Sequence, residues 1–171
     1  LAILSLGALY LPIGMTVTVG HTATGPYTLD GIAFLKEDSI GEFAAIEWLN
    51  SNASPDVTIV EAVGSDYTEY GRVAAFTGLP TVLNWAGHQL QWRGSSELLD
   101  GIAEDVATIY RSEDLSLVKQ MLDRYNIEYV IFGKREADTY QVESIGHLSP
   151  ILTPTFSHEG FTIYRVRGDD A

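Results

Sequence analysis

The sequence predicts a layered α/β domain with a mostly parallel sheet, flanked by helices and completed by a C-terminal antiparallel hairpin. Short runs rich in β-branched residues, such as 57–63 (VTIVEAV), alternate with longer stretches of helical periodicity. Near the C-terminus, two apolar runs are separated by a short polar turn. The first 29 residues carry no formally charged side chain, which sets them apart from the domain.

Composition limits the classes of function. The 171 residues allow one domain with a sizeable core, and 46% hydrophobic content fits a packed globular protein. The formal net charge is -13, from 23 acidic and 10 basic residues, which argues against nucleic acid and against anionic lipid surfaces as partners. Cysteine is absent, so disulfides, thiolate metal sites and a cysteine nucleophile are excluded.

The N-terminal run 1–13 (LAILSLGALYLPI) is apolar but shorter than the roughly 20 residues that span a bilayer. We interpret 1–20 as the end of a transmembrane helix; a buried core helix is the alternative, and a signal peptide would need a basic start that is missing. Cytoplasmic flanks are enriched in Lys and Arg. Here the first Lys is Lys36 and the first Arg is Arg72, which favours the extracytoplasmic side.

Residues 21–38 are expected to be a linker and entry segment, and 39–171 to be the exterior domain. Ser39 and Glu42 have the spacing of a capping box, which predicts a helix start. A buried helical stripe follows from the spacing of Ile40, Phe43, Ile46 and Leu49.

The run 57–63 predicts a central strand that is covered on both faces. A helix is expected over 68–77, closed by Gly78, and then a short strand over 81–85. The segment 86–94 (AGHQLQWRG) is interpreted as a loop.

Two amphipathic helices are predicted next, the first from Ser96 and the second ending at Asn126. The run 129–132 (YVIF) predicts a buried strand. The segments 153–156 and 161–166 predict the closing hairpin at the edge of the sheet.

No standard enzyme signature is present. The sequence has no Walker phosphate loop, Gly-rich dinucleotide turn or nucleophile elbow. Its four His residues are scattered, without a helical pair that would hold a metal. We therefore assign no catalytic residue, metal ligand or cofactor to this chain.

Ligands in an open α/β sheet lie beyond the carboxyl ends of the strands, where 64–72 (GSDYTEYGR) and 85–93 (WAGHQLQWR) are expected. The second stretch combines two indoles, an imidazole, two amides and a guanidinium, a set suited to sugar faces and hydroxyls. Arg93 offers a fork for a phosphate or carboxylate. The alternative is structural: both Trp side chains anchor a long loop, and Arg93 pairs with Glu61 or Glu69.

Glu61 lies inside an apolar strand, so its carboxylate must be paired or neutral, either in a structural ion pair or in a site. Glu136 and Tyr140 follow the third predicted strand, 129–132, and either close the same crevice or form a solvated turn. The candidate substrate-binding residues are Glu61, Tyr67, Glu69, Arg72, Trp85, His88, Gln89, Trp92 and Arg93.

Several strings resemble the C-terminal part of the YYY-type, DUF2298 family of polytopic membrane proteins. They are 28–35 (TLDGIAFL), 45–50 (AIEWLN), 61–94 (EAVGSDYTEYGRVAAFTGLPTVLNWAGHQLQWRG), 127–140 (IEYVIFGKREADTY) and 161–166 (FTIYRV). Where the family pattern has Glu after the His, this chain has Gln89, so no carboxylate lies at that position.

The layout of that family resembles lipid-dependent glycosyltransferases of the GT-C type, whose catalytic acid lies on an early exterior loop. The resemblance implies that this domain lies outside the cell membrane and binds or orients substrate. The implied partners are a lipid-phosphate-linked sugar or a glycan acceptor, with the membrane contacted through the N-terminal helix. The alternative is a non-catalytic binding or scaffold domain of a membrane protein.

Overall fold

The computed structural model describes residues 2–22, 28–97 and 99–168. Its α-helices, in chain order, are α1 (Ala2–Thr22), α2 (Leu35–Asp38), α3 (Ile40–Asn52), α4 (Arg72–Thr77), α5 (Ala86–Arg93), α6 (Ile102–Arg111), α7 (Leu115–Arg124) and α8 (Lys134–Tyr140). Its strands are β1 (Thr58–Val60), β2 (Ile127–Phe132), β3 (Leu152–His158) and β4 (Phe161–Val166). A short 3₁₀ turn spans Gly146–Leu148.

Within the described residues the strands form one four-stranded sheet in the order β1-β2-β4-β3. The α/β class and the hairpin at the edge of the sheet are confirmed. The prediction of a mostly parallel sheet is wrong, because β1 and β2 pair in parallel while β4 pairs antiparallel with both of its neighbours. The predicted strand at 81–85 is reduced to two isolated parallel bridges, from Thr81 to Ile59 and from Trp85 to Gly64.

The sheet separates two apolar clusters, which gives three layers. Along β2, Tyr129 and Ile131 face the cluster that includes Ile46 of α3, while Val130 faces the cluster that includes Val106 of α6. This alternation follows from the two-residue period of side chains on a strand.

Tyr110 of α6 joins the two parallel strands. Its side chain is fully buried and stacks on Tyr140, with ring centroids 4.6 Å apart. Its hydroxyl donates towards the carbonyl oxygens of Val60, at 3.1 Å, and Ile131, at 2.8 Å. Burial raises the pKa of Tyr110 well above its usual value, so the donor is retained at any physiological pH.

Several predicted helix bounds are wrong for one physical reason. The helix expected from residue 68 begins at Arg72, and the helix expected from Ser96 begins at Ile102. Each is preceded by a glycine in the left-handed region, Gly71 with φ 76° and Gly101 with φ 78°, which prevents the helix from continuing upstream. The prediction of a loop over 86–94 is also wrong, because Ala86–Arg93 form helix α5.

The predicted capping box at the start of α3 is also wrong. The Ser39 side chain makes no capping hydrogen bond. Glu42 instead faces inward and accepts hydrogen bonds from Arg72 and Arg135. Ile40, predicted to be in the buried stripe, is 52% exposed, whereas Ile46 is fully buried.

The N-terminal helix α1 continues through Pro12 to Thr22, and its described apolar side chains include Tyr10, which is 80% exposed. Among the described residues, no helix combines the length and the apolar character needed to cross a bilayer. Residues 23–27 of the predicted linker lie outside the described residues. That 1–20 is the end of a transmembrane helix stays a prediction.

Gly41 allows α3 to lie directly against the backbone of the β3–β4 turn. A Cβ at this position would lie 2.6 Å from the carbonyl oxygen of His158 and 2.8 Å from that of Glu159. We expect Gly41→Ala to lower the free energy of unfolding by about 1–3 kcal/mol through overpacking, partly offset by about 1 kcal/mol of improved helix propensity. Urea denaturation of the chain measures this change.

Gly31→Ala is the matched control, because a Cβ there meets nothing within 4 Å. Its free energy of unfolding should stay within about 0.5 kcal/mol of the wild type. Equal stability of the two variants would contradict the close packing of α3 on the hairpin.

Candidate functional site

The structure divides the predicted site residues among three places. Four aromatic side chains form what we call the aromatic surface: Tyr67, Trp85, His88 and Trp92. Glu69 and Arg72 line a separate cavity, and Glu61 is buried beneath the start of α4. Gln89 lies half-buried on α5, and the side chain of Arg93 lies outside the described residues.

The aromatic surface is a chain of edge-on and tilted rings. Tyr67 lies 5.3 Å from Trp85 and 5.8 Å from His88 between ring centroids, and His88 lies 6.1 Å from Trp92. Tyr67 is 67% exposed and Trp92 is 79% exposed, so two large rings remain open to solvent. The Trp85 indole nitrogen is buried and has no hydrogen-bond partner among the described residues. Large exposed rings held in fixed positions are typical of a binding surface.

Helix α5 positions two of these side chains. His88 and Trp92 are four residues apart, so they project from the same face of the helix. The indole nitrogen of Trp92 donates to Nε2 of His88 at 3.2 Å. The neutral imidazole therefore carries its proton on Nδ1, which is a potential donor to a ligand.

The loop after β1 brings Tyr67 to the same surface. The backbone N–H of Gly87 donates to Oδ1 of Asp66 at 3.1 Å, which ties this loop to the start of α5. A Cβ on Gly87 would clash with Oδ2 of Asp66, so a larger residue here would force the Asp66 carboxylate to rotate away. Tyr67 itself adopts a left-handed backbone with φ 57°, a conformation that costs a non-glycine residue free energy.

The second group is an ion-pair cluster beside a cavity of about 710 Å³. The Glu42 carboxylate, 3% exposed, lies between the guanidinium groups of Arg72 and Arg135. Burial alone would raise the pKa of Glu42, but hydrogen bonds from Arg72 and the charge of Arg135 outweigh it and hold that pKa below its usual value. Sequence reasoning missed Glu42 and Arg135, because the first matched a capping pattern and the second stands in an ordinary charged helix turn.

The third place holds two buried carboxylates. Glu61 accepts hydrogen bonds from the backbone N–H groups of Val73, at 3.2 Å, and Ala74, at 3.0 Å, so backbone donors replace the ion pair that the sequence suggested. Burial and, to a smaller extent, the charge of nearby Glu136 outweigh these backbone donors and raise the pKa of Glu61 to about 7. Burial also raises the pKa of Glu136.

Glu136 does not lie in a solvated turn. It is 1% exposed and accepts from the N–H groups of Ala62, at 3.0 Å, and Gly133, at 2.8 Å. Tyr140 is 5% exposed, and its hydroxyl accepts from the N–H of Val63 at 3.1 Å. Within 2–22, 28–97 and 99–168, no group of three or more His, Asp or Glu side chains has a geometry that could hold a metal ion.

Comparison with known proteins finds solved structures that are similar to this chain. No protein-family model and no curated protein matches the chain. The C-terminal globular domain of the oligosaccharyltransferase from Archaeoglobus fulgidus is similar, with a TM-score of 0.47 and 12% sequence identity. The match covers 73% of this chain and 96% of that domain.

Glu61 makes stability depend on pH. Its pKa is about 7 in the folded chain and near 4.5 in the unfolded chain, so the folded state binds more protons between these values. Stability should therefore fall as pH rises through this window, by at most about 1.4 kcal/mol per pH unit and about 3 kcal/mol in total. We expect Glu61→Gln to flatten this slope, which urea denaturation between about pH 5 and 7 measures.

Glu113→Gln is the matched control because Glu113 is exposed and makes no ion pair in the described part of the chain. It should keep the wild-type slope. A slope that is unchanged in Glu61→Gln would show that another group titrates in this window.

Proposed function

We propose that the chain is the extracytoplasmic C-terminal domain of a polytopic membrane protein that transfers glycosyl groups from a lipid-linked sugar. In this proposal the domain binds or orients the sugar-bearing substrate at the aromatic surface. The catalytic acid would then lie elsewhere in the parent protein, since this domain serves as an accessory lobe.

The observation that carries the proposal is the exposure of Tyr67 and Trp92. Pyranose rings present apolar C–H faces, which gain contact area on flat aromatic side chains. The hydroxyl groups at the ring edge need hydrogen-bond partners, and Nδ1 of His88 is a donor on the same surface. Rings fixed by contacts with each other lose little side-chain entropy when a ligand binds.

The resemblance to a family of polytopic membrane proteins supports both the membrane location and the choice of the aromatic surface. The longest resembling string, 61–94, contains all four residues of the aromatic surface, so the likeness lies where the exposed rings are. The apolar side chains of α1 are also exposed, as expected for a helix that contacts lipid.

The second candidate is a binding or scaffold domain in a parent protein without chemistry. One observation favours it. Two carboxylates close to Tyr67 in the chain are already engaged, since Asp66 accepts from Gly87 and Glu61 accepts from two backbone groups. A site without a free carboxylate is suited to recognition more than to acid–base chemistry.

We expect Trp92→Ala to weaken the binding of neutral oligosaccharides by about tenfold, because it removes the most exposed stacking face. Trp92→Phe keeps an aromatic face and should retain most of the affinity. Saturation-transfer NMR with the full chain in detergent micelles and a panel of oligosaccharides measures the effect.

Leu117→Ala is the control, since it removes an exposed apolar side chain from α7 and leaves the aromatic surface intact. It should bind as the wild type does. Equal loss in the Leu117 and Trp92 variants, or no binding by the wild type to any oligosaccharide, would contradict a sugar-binding aromatic surface.

Glycosyl transfer is tested with the full-length parent protein in proteoliposomes supplied with labelled polyprenyl-phosphate sugars. Consumption of one donor that falls in both His88→Ala and Trp92→Ala would support transfer with substrate held at this surface. If no donor in a broad panel is consumed, the transfer proposal fails and the binding-domain candidate stands.

A further inference from the structure

We propose that Arg72 and Arg135 form a site for the carboxylate of a small monoanionic ligand, in the place that the Glu69 carboxylate now occupies. The site faces the cavity of about 710 Å³ between α3, α4 and α8, not the aromatic surface. It therefore does not depend on the proposed function.

Among Glu42, Arg72 and Arg135 the formal charges leave one positive charge, which Glu69 balances in the structure. Arg72 and Arg135 carry two positive charges, and Glu42 neutralises one of them from below. Both guanidinium groups are largely buried, with side-chain exposures of 14% and 16%, so the remaining charge is poorly solvated. A partly desolvated arginine pair binds carboxylates more strongly than an exposed one.

Glu69 supplies that missing negative charge only weakly. Its oxygens lie 3.9 Å from Nη1 of Arg72 and 3.4 Å from Nη2 of Arg135. Its side chain is 72% exposed, so holding it there costs entropy and gains little from solvent-screened attraction. A ligand carboxylate that reaches both guanidinium groups at ordinary hydrogen-bond distance would displace it.

The other lining groups favour a carboxylate over a phosphate. Asp38 and Asp138 line the same cavity, and Lys134 is already paired with Asp138 at 2.5 Å. These carboxylates repel a dianion more than a monoanion. Ser39 also lines the cavity, and its hydroxyl, which caps no helix, is a candidate partner for a polar group of the same ligand.

The test is an NMR titration of the isotope-labelled chain in detergent micelles, following the side-chain Nε–H signals of Arg72 and Arg135. D-glucuronate is the probe, D-glucose is its neutral match and inorganic phosphate is the dianion. We expect saturable shifts with glucuronate, none at these signals with glucose, and weaker binding of phosphate. Binding of glucose at the aromatic surface without any glucuronate effect here would overturn this inference and leave the proposed function intact.

Variants separate the site from general electrostatics. Glu69→Gln removes the internal competitor and should strengthen glucuronate binding about three- to fivefold, whereas Glu113→Gln makes the same change in net charge elsewhere and should not. Arg135→Lys keeps a cation for Glu42 but loses the planar fork, and should weaken binding about tenfold. Equal effects of the two Glu variants, or unchanged binding in a folded Arg135→Lys chain, would overturn the assignment.

Discussion

The structure depends on one arrangement, in which the buried Glu136 carboxylate accepts hydrogen bonds from backbone groups that follow two parallel strands. Its oxygens bind the N–H of Ala62, just after β1, and the N–H of Gly133, just after β2. These donors would otherwise be buried without partners, at a cost of about 1–3 kcal/mol each. The Tyr110 hydroxyl donates towards the carbonyl oxygens of Val60 in β1 and Ile131 in β2, so it holds the ends of the same two strands.

Both surfaces of interest begin at these fixed strand ends. The chain leaves β1 through the loop that carries Tyr67, while α8 leaves β2 and carries Arg135. Glu61 adds a second anchor, because it accepts from the N–H groups of Val73 and Ala74 in the first turn of α4, the helix that begins with Arg72. Loops on rigid strand ends are where α/β proteins bind ligands.

The three buried glutamates, Glu42, Glu61 and Glu136, are compensated in different ways. Although the chain has only 10 basic residues against 23 acidic ones, two arginines, Arg72 and Arg135, pair with one of the buried carboxylates, that of Glu42. Glu61 and Glu136 obtain backbone donors instead; these lower the pKa values of the two carboxyl groups, but burial outweighs them and the pKa values are raised. A buried carboxyl group avoids the desolvation cost of an unpaired charge either by pairing with arginine or by binding a proton. The tertiary structure decides which of the two applies to each glutamate.

The sequence by itself determined the elements whose signal is local. The apolar run of β2, the hairpin of β3 and β4, and the periodicity of α6 and α7 depend on neighbouring residues. Each of these elements exists in the structure, although α6 begins at Ile102 and not at Ser96. Only the tertiary structure decided the direction of the sheet, the partners of Glu42 and Glu61, and the separation of Arg72 from the aromatic surface. Those features depend on contacts between residues far apart in the chain, such as Glu42 and Arg135, whose meeting no local pattern encodes.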